Sequence, residues 1–338
     1  MGSFDWFIMI PVGLVLLYFG GNFLIRSSIA LSIRLSIPRY IIGSTIVAFG
    51  TSLPELFSAV AAARAEEGIL VFSSLMGSNI VNIAVILSIG LLFLNQRSRW
   101  KIARGVFRIS LRNRLFFLLS ALFPILLAFA VTPNAIILGE GVFLLFIYCL
   151  YIFFLFKNHS GSASLEVEKI EESVQSEKST RGSFYVIHSA LIFVSFAMLA
   201  YGGEIVVTAI RDILDSTQRT TKLARFLSVS VISIGTSLPE LVTSLVSVKK
   251  QEYEVMLGNI VGSCIANMLC ILPIAVFFSP VFITFDLLFD SAYLLLLVLW
   301  IIGLTASWKC NQAIRILKIQ GAILFITVMG YFYSIAQT

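Results

Sequence analysis

Ten stretches of predominantly apolar residues divide the chain, at roughly 6–25, 40–62, 69–94, 115–132, 136–156, 185–210, 226–248, 255–279, 291–307 and 313–335. Each is close to the ~20 residues that a helix needs to cross the hydrocarbon of a bilayer. The pattern predicts an all-α polytopic membrane protein with ten transmembrane helices. Four stretches, 40–62, 69–94, 226–248 and 255–279, are the least uniformly apolar. That is expected of helices lining a polar site.

Those four stretches carry a repeat. Gly50-Thr51-Ser52-Leu53-Pro54-Glu55-Leu56 returns unchanged as Gly235-Thr236-Ser237-Leu238-Pro239-Glu240-Leu241, 185 residues later. Gly77-Ser78-Asn79-Ile80-Val81-Asn82 returns as Gly262-Ser263-Cys264-Ile265-Ala266-Asn267 at the same shift. Two separated motifs holding one offset point to a duplicated unit. The first helix of each half keeps a further trace, Tyr18-Phe19-Gly20-Gly21 against Ala200-Tyr201-Gly202-Gly203. Five spans per half is an odd number, so the second half enters the membrane from the opposite side. The expected organisation is therefore two inverted five-helix repeats, residues 1–156 and 185–338, joined by a flexible cytoplasmic linker, 157–184, rich in Ser, Glu and Lys.

Composition supports a membrane class: 58% of residues are hydrophobic and 12% charged, where a soluble domain carries about 25% charged. The net charge of +6 does not imply nucleic acid, because the placement of the bases matters more. With the N-terminus outside, nineteen of the 24 Lys and Arg fall in inside loops, which puts both termini outside. The first apolar stretch follows Asp5 with no basic residue before it and reads as a retained helix. The basic run Arg97 to Arg114, with Trp100 and Phe107 interleaved, fits either an interfacial segment or simple topological retention. Cys149, Cys264, Cys270 and Cys310 form no close-spaced pair, and His159 and His188 are the only histidines. Neither a disulfide framework nor a thiolate or imidazole metal site is expected.

Pro54 cannot donate a backbone hydrogen bond and its ring presses on the carbonyl four residues back, at Gly50. The helix should open there, freeing carbonyls from about Ala48 to Thr51 and, in the second copy, from Ser233 to Thr236. Ser52 and Glu55 share a helix face, as do Ser78 with Asn82 and Ser263 with Asn267. The pooled donors are all hard oxygens, a set that matches Ca2+ and suits Na+, and suits Mg2+ less because it dehydrates reluctantly. Glu55 and Glu240 supply two negative charges, enough for one Ca2+ or two Na+. An unpaired carboxylate within the bilayer costs about 2.5 kcal/mol or more, so a neutralised site crosses more readily than a bare one. Exchange follows from that penalty. Glu66, Glu67, Glu140, Asp286 and Asp290 read as solvated loop acids, and Glu204 as a residue near the outer interface.

The paired motifs resemble the α-repeats of the sodium/calcium exchangers. The resemblance covers both halves and implies Na+-driven Ca2+ exchange by alternating access, three Na+ per Ca2+, in a prokaryotic cytoplasmic membrane. It implies metal-binding roles for the carboxylates of Glu55 and Glu240. Thr51, Ser52, Thr236, Ser237, Ser78 and Ser263 would supply hydroxyl or carbonyl ligands, Asn82 and Asn267 amides, and Ala48 and Ser233 backbone carbonyls. Ca2+ and Na+ would be substrates, the bilayer the other partner, with no cofactor. Members tied to K+ carry Asp where this chain has Asn267. A Ca2+/H+ antiporter on the same scaffold is the nearest alternative. An intramembrane hydrolase using Ser52 or Ser237 lacks a His or Lys base in those helices, and a passive cation channel is the third option.

Overall fold

The computed structural model describes residues 6–93, 110–132, 134–157, 181–216, 235–283, 287–306 and 314–337. The linker residues 158–180, the basic run 97–109 and residues 226–234 of the seventh stretch lie outside these. Helix α1 (Trp6–Arg34) continues through Arg26, Ser27 and Ser28, past the end expected near residue 25. Both serines are buried, so packing against neighbouring helices, and not apolarity alone, sets its length. Pro38 precedes α2 (Arg39–Thr51), which meets α3 (Leu53–Arg64) at a 47° bend. Then come α4 (Gly68–Leu92), α5 (Leu111–Phe129, with Ala130 as its last residue), α6 (Leu138–Lys157) and α7 (Arg181–Ser216). The second set is α8 (Leu238–Lys249), α9 (Tyr253–Val276), α10 (Leu287–Ala306) and α11 (Ile314–Gln337). Two short strands, β1 (Ala135–Ile136) and β2 (Val281–Phe282), pair antiparallel.

Among the described residues, six helices are long and apolar enough to cross a membrane: α1, α4, α5, α6, α7 and α9. The bent pair α2–α3 makes a seventh if it counts as one span. The motif helices form the centre. The most apolar window of α9 is 100% buried and that of α4 78%, against 33% for α1, α5 and α6. The outer helices instead expose Phe143, Phe146, Phe193 and Leu296, the side chains a lipid-facing surface requires.

The prolines act differently from the expected kink. Pro54 sits in the first turn of α3, where a helix needs no internal donor. The break falls before it, at Ser52 (φ −86°, ψ 11°), and recurs at Ser237 (φ −85°, ψ 7°). The Ala48 carbonyl is consequently not freed, since it accepts from the Ser52 N–H at 3.0 Å. Among the described residues, three π turns also depart from the expected regular helices: Gly43–Val47 in α2, Asn82–Ile86 in α4 and Asn267–Ile271 in α9. The last two begin at the motif asparagines and keep the repeat offset. A π turn carries one extra residue and re-aims the side chains around it.

Glycines let the central helices touch backbone to backbone. Gly43 lies against Val255 and Gly258, and Gly262 against Ser44, so α2 is pressed onto α9. At the end of this contact one guanidinium nitrogen of Arg39 donates to both Glu252 oxygens, at 3.0 and 2.7 Å. Arg39→Ala should lower stability by about 1–2 kcal/mol, read as a lower unfolding midpoint in detergent. An unchanged midpoint would show the pair to be idle. α1 and α7 pack closely through Gly20 against Leu199 and Gly202 against Leu17.

Candidate functional site

The two copies of the motif converge inside the bundle. Glu55 opens α3 and Glu240 opens α8, each in the first helical turn after its break, where the helix dipole favours a negative charge. Both are at most 1% exposed. Ser52 of the first copy donates to Glu240 Oε1 at 3.0 Å. Ser78 donates to Glu55 Oε1 at 3.0 Å and lies 2.9 Å from Ser237 Oγ of the second copy. With its proton committed to Glu55, the Ser78 hydroxyl accepts from Ser237. Serines thus link each half to the other's carboxylate neighbourhood.

Around this core Ser263 Oγ reaches the Ala48 carbonyl at 3.4 Å, and Thr51 Oγ1 reaches it at 3.2 Å. Asn82 and Asn267 are fully buried beside them, and Thr236 is half-buried. Ser233 lies outside the described residues. Of the other eleven expected positions, Thr236 and Ser237 immediately precede α8, and the rest fall on the bent pair α2–α3 or on α8, α4 and α9.

The unbonded atoms define what the arrangement can do. Glu55 Oε2, Glu240 Oε2, Asn267 Oδ1 and both amide atoms of Asn82 are buried without a hydrogen-bond partner. Leaving a buried acceptor unpaired costs about 1–3 kcal/mol, more for a charged group. No Lys or Arg among the described residues is bonded to either glutamate. Two carboxylates, unbonded oxygens and no basic partner form an environment that calls for cations.

Three polar residues outside the expected set of ligands also belong here. Asn79 donates to the Cys264 carbonyl at 3.2 Å and accepts from Asn267 Nδ2 at 2.9 Å. Asn259 lies 3.1 Å from Thr51 Oγ1 and donates to Thr243 Oγ1 at 3.1 Å. Asn79 stands inside the second motif, which was signal enough. Asn259 and Thr243 match Ser74 and Ser58 in the other copy, so no shared pattern pointed to them.

The loop acids divide. Glu66 and Glu67 are exposed as expected, and Glu204 is exposed on α7. Asp286 lies outside the described residues. Glu140 is buried, contrary to expectation, because it reaches back to the Ile137 N–H at 2.9 Å and caps α6. Asp290 is half-buried and accepts from the Tyr331 hydroxyl at 2.8 Å.

A mostly helical chain with several membrane-crossing helices, and a buried acidic pocket built from two copies of one motif pair, is a membrane transporter in type. The chain belongs to the sodium/calcium exchanger family, whose description is "Sodium/calcium exchanger protein" and which matches residues 6–157 and 187–335. By family it is a cation/Ca2+ antiporter and not one of the enzymes. It is 27% identical over 343 residues to inner membrane protein YrbG of Escherichia coli (strain K12), covering 95% of each chain. It is 27% identical over 334 residues to putative antiporter CaxA of Alkalimonas amylolytica, covering 96% of this chain and 97% of that one. Its fold is similar to that of the sodium-calcium exchanger NCX_Mj, solved after soaking with Na+ and Ca2+. The TM-score is 0.75, at 22% identity and with 98% and 99% of the two chains covered.

Proposed function

We propose that the protein exchanges Na+ for Ca2+ across a prokaryotic cytoplasmic membrane by alternating access, binding the ions between Glu55 and Glu240. The observation that carries this reading is the pair of buried glutamates, each held by a motif serine through one oxygen and unbonded at the other. The supporting ligands are Ser52, Ser78, Ser237, Ser263, Thr51, Thr236, Asn82, Asn267 and the carbonyls of Ala48 and Ser233. Two charges neutralise one Ca2+, and the oxygens nearby fit the 6–8 ligands that Ca2+ takes.

In this reading ten helices cross the membrane as two inverted five-helix repeats, with both termini outside. The crossings are α1, α2–α3, α4, α5, α6, α7, the stretch ending in α8, α9, α10 and α11. Reciprocal contacts support the inversion. Asn79 donates to Cys264, its own counterpart 185 residues on, while the Cys264 thiol points back at the Asn79 carbonyl at 4.0 Å. Farther along, Gly90 abuts Met256, so numbers rise along α4 as they fall along α9. The contacts of Gly20 with Leu199 and Gly202 with Leu17 are exchanged by the same two-fold relation.

The test is flux into proteoliposomes. An outward Na+ gradient should drive uptake of radiolabelled Ca2+ at constant pH. Uptake indifferent to Na+ and driven by a pH gradient would replace this reading with Ca2+/H+ antiport. With three Na+ per Ca2+, one charge crosses per cycle and 100 mV adds about 2.3 kcal/mol.

Asn267 leaves the pocket with two acidic groups, which argues against K+ coupling. Asn267→Asp would set a carboxylate against Asn79 Oδ1, now 2.9 Å from the amide nitrogen. Only its protonated form can donate there, so Ca2+ uptake should fall as pH rises more steeply than in the parent. Identical pH profiles would contradict this.

A further inference from the structure

We propose that Asn79 is a positioning residue that fixes which end of the Asn267 carboxamide faces the cations. Cys264, its counterpart in the second copy, leaves Asn82 without such a guide. This inference rests on the cation site proposed above.

The argument starts from an atom that cannot be reversed. The Cys264 carbonyl can only accept, and an Asn79 amide nitrogen lies 3.2 Å from it. Asn79 must therefore present its NH2 end there and its oxygen on the opposite side. That oxygen is 2.9 Å from the Asn267 amide, which must turn its own NH2 group toward it. Asn267 Oδ1 is then left buried and unbonded. A backbone carbonyl thus sets the polarity of two side chains in series, and the last of them offers a cation an oxygen and not an NH2 group.

The repeat predicts an equivalent relay from position 264 to Asn82, and it is absent. The Cys264 thiol lies beside Asn82, but a thiol is only a weak donor and acceptor. Neither amide atom of Asn82 has a partner in hydrogen-bond geometry. Apart from that weak partner nothing fixes which end of Asn82 turns inward, so one half of the pocket is pre-oriented and the other adaptable. Reorienting a ligand on binding costs affinity, which pre-orientation avoids.

Three variants test this in proteoliposomes, with half-saturation for Ca2+ and for Na+ measured separately from maximal rate. Asn79→Leu removes the relay and should raise half-saturation about five- to tenfold for at least one ion. Cys264→Asn should supply the missing relay to Asn82 and lower half-saturation for at least one ion. Asn79→Cys combined with Cys264→Asn moves the relay to the other half and should recover affinity that Asn79→Cys alone loses. A merely structural role for Asn79 would not be rescued by a substitution at position 264. Unchanged half-saturation for both ions in Asn79→Leu overturns the proposal. If that variant does not fold, Cys264→Asn decides, and no gain in affinity for either ion overturns it. Absence of ion-coupled Ca2+ uptake in the unaltered protein would instead defeat the functional reading itself.

Discussion

Glu240→Gln should abolish Ca2+ uptake while the protein still inserts and purifies as a folded species. The substitution keeps the shape of the side chain, and its amide oxygen can still accept from Ser52, now 3.0 Å from Glu240 Oε1. What it removes is one of two charges and the unbonded oxygen. Ca2+ in that pocket would carry a net positive charge through the membrane. At about 2.5 kcal/mol or more per uncompensated charge, the crossing slows by roughly 70-fold or more. Loss of a ligand adds to this. Glu55→Gln should do the same, since the Ser78 bond at 3.0 Å also survives it. The measurement is Na+-gradient-driven uptake of radiolabelled Ca2+, normalised to folded protein by size-exclusion chromatography. Parental rates in either variant would remove the glutamates from the transport step.

What the sequence made readable was the part encoded by repetition. Identical heptapeptides announced both glutamates and both breaks, and a shared offset joined them to Ser78, Asn82, Ser263 and Asn267. Serine bonds then appear where the motifs meet, between Ser52 and Glu240 and between Ser78 and Ser237. Hydrogen-bond register was hidden. The π turns at Asn82 and Asn267 leave no mark in apolarity, because one extra residue in a turn does not alter the average hydrophobicity of a buried helix. The prolines were visible, but their effect depended on position. In a helix interior Pro54 would kink the chain, whereas at a restart it is tolerated. Glu140 misled because a carboxylate beside a loop is usually solvated, and only the backbone shows that it caps α6. Asn79 was visible inside the second motif, but the cysteine at position 264 leaves no matching residue in the other copy, so its bond to Asn267 was not.

Gly262→Val should cost the protein most of its folded yield. A Cβ at that position would lie 2.6 Å from both the Cα and the carbonyl oxygen of Ser44. Both obstacles are backbone, so no rotamer change relieves them, and valine adds two methyl groups beyond the Cβ. Overpacking of a close-packed interior costs about 1–3 kcal/mol, and this clash belongs at the upper end. Relief requires α2 to lift from α9. That movement would draw the Ala48 carbonyl from Ser263, now 3.4 Å away, and Thr51 from Asn259, now 3.1 Å away. The glycine therefore couples helix packing to the placement of the pocket, and any protein that survives should bind Ca2+ more weakly. Gly330→Ala on α11 is the control, because nothing lies within 4 Å of the added atom. The expected result is a strongly lowered unfolding midpoint in detergent for Gly262→Val and a parental one for Gly330→Ala. Equal midpoints would mean that the two helices can part without consequence, and that close backbone contact does not hold the pocket together.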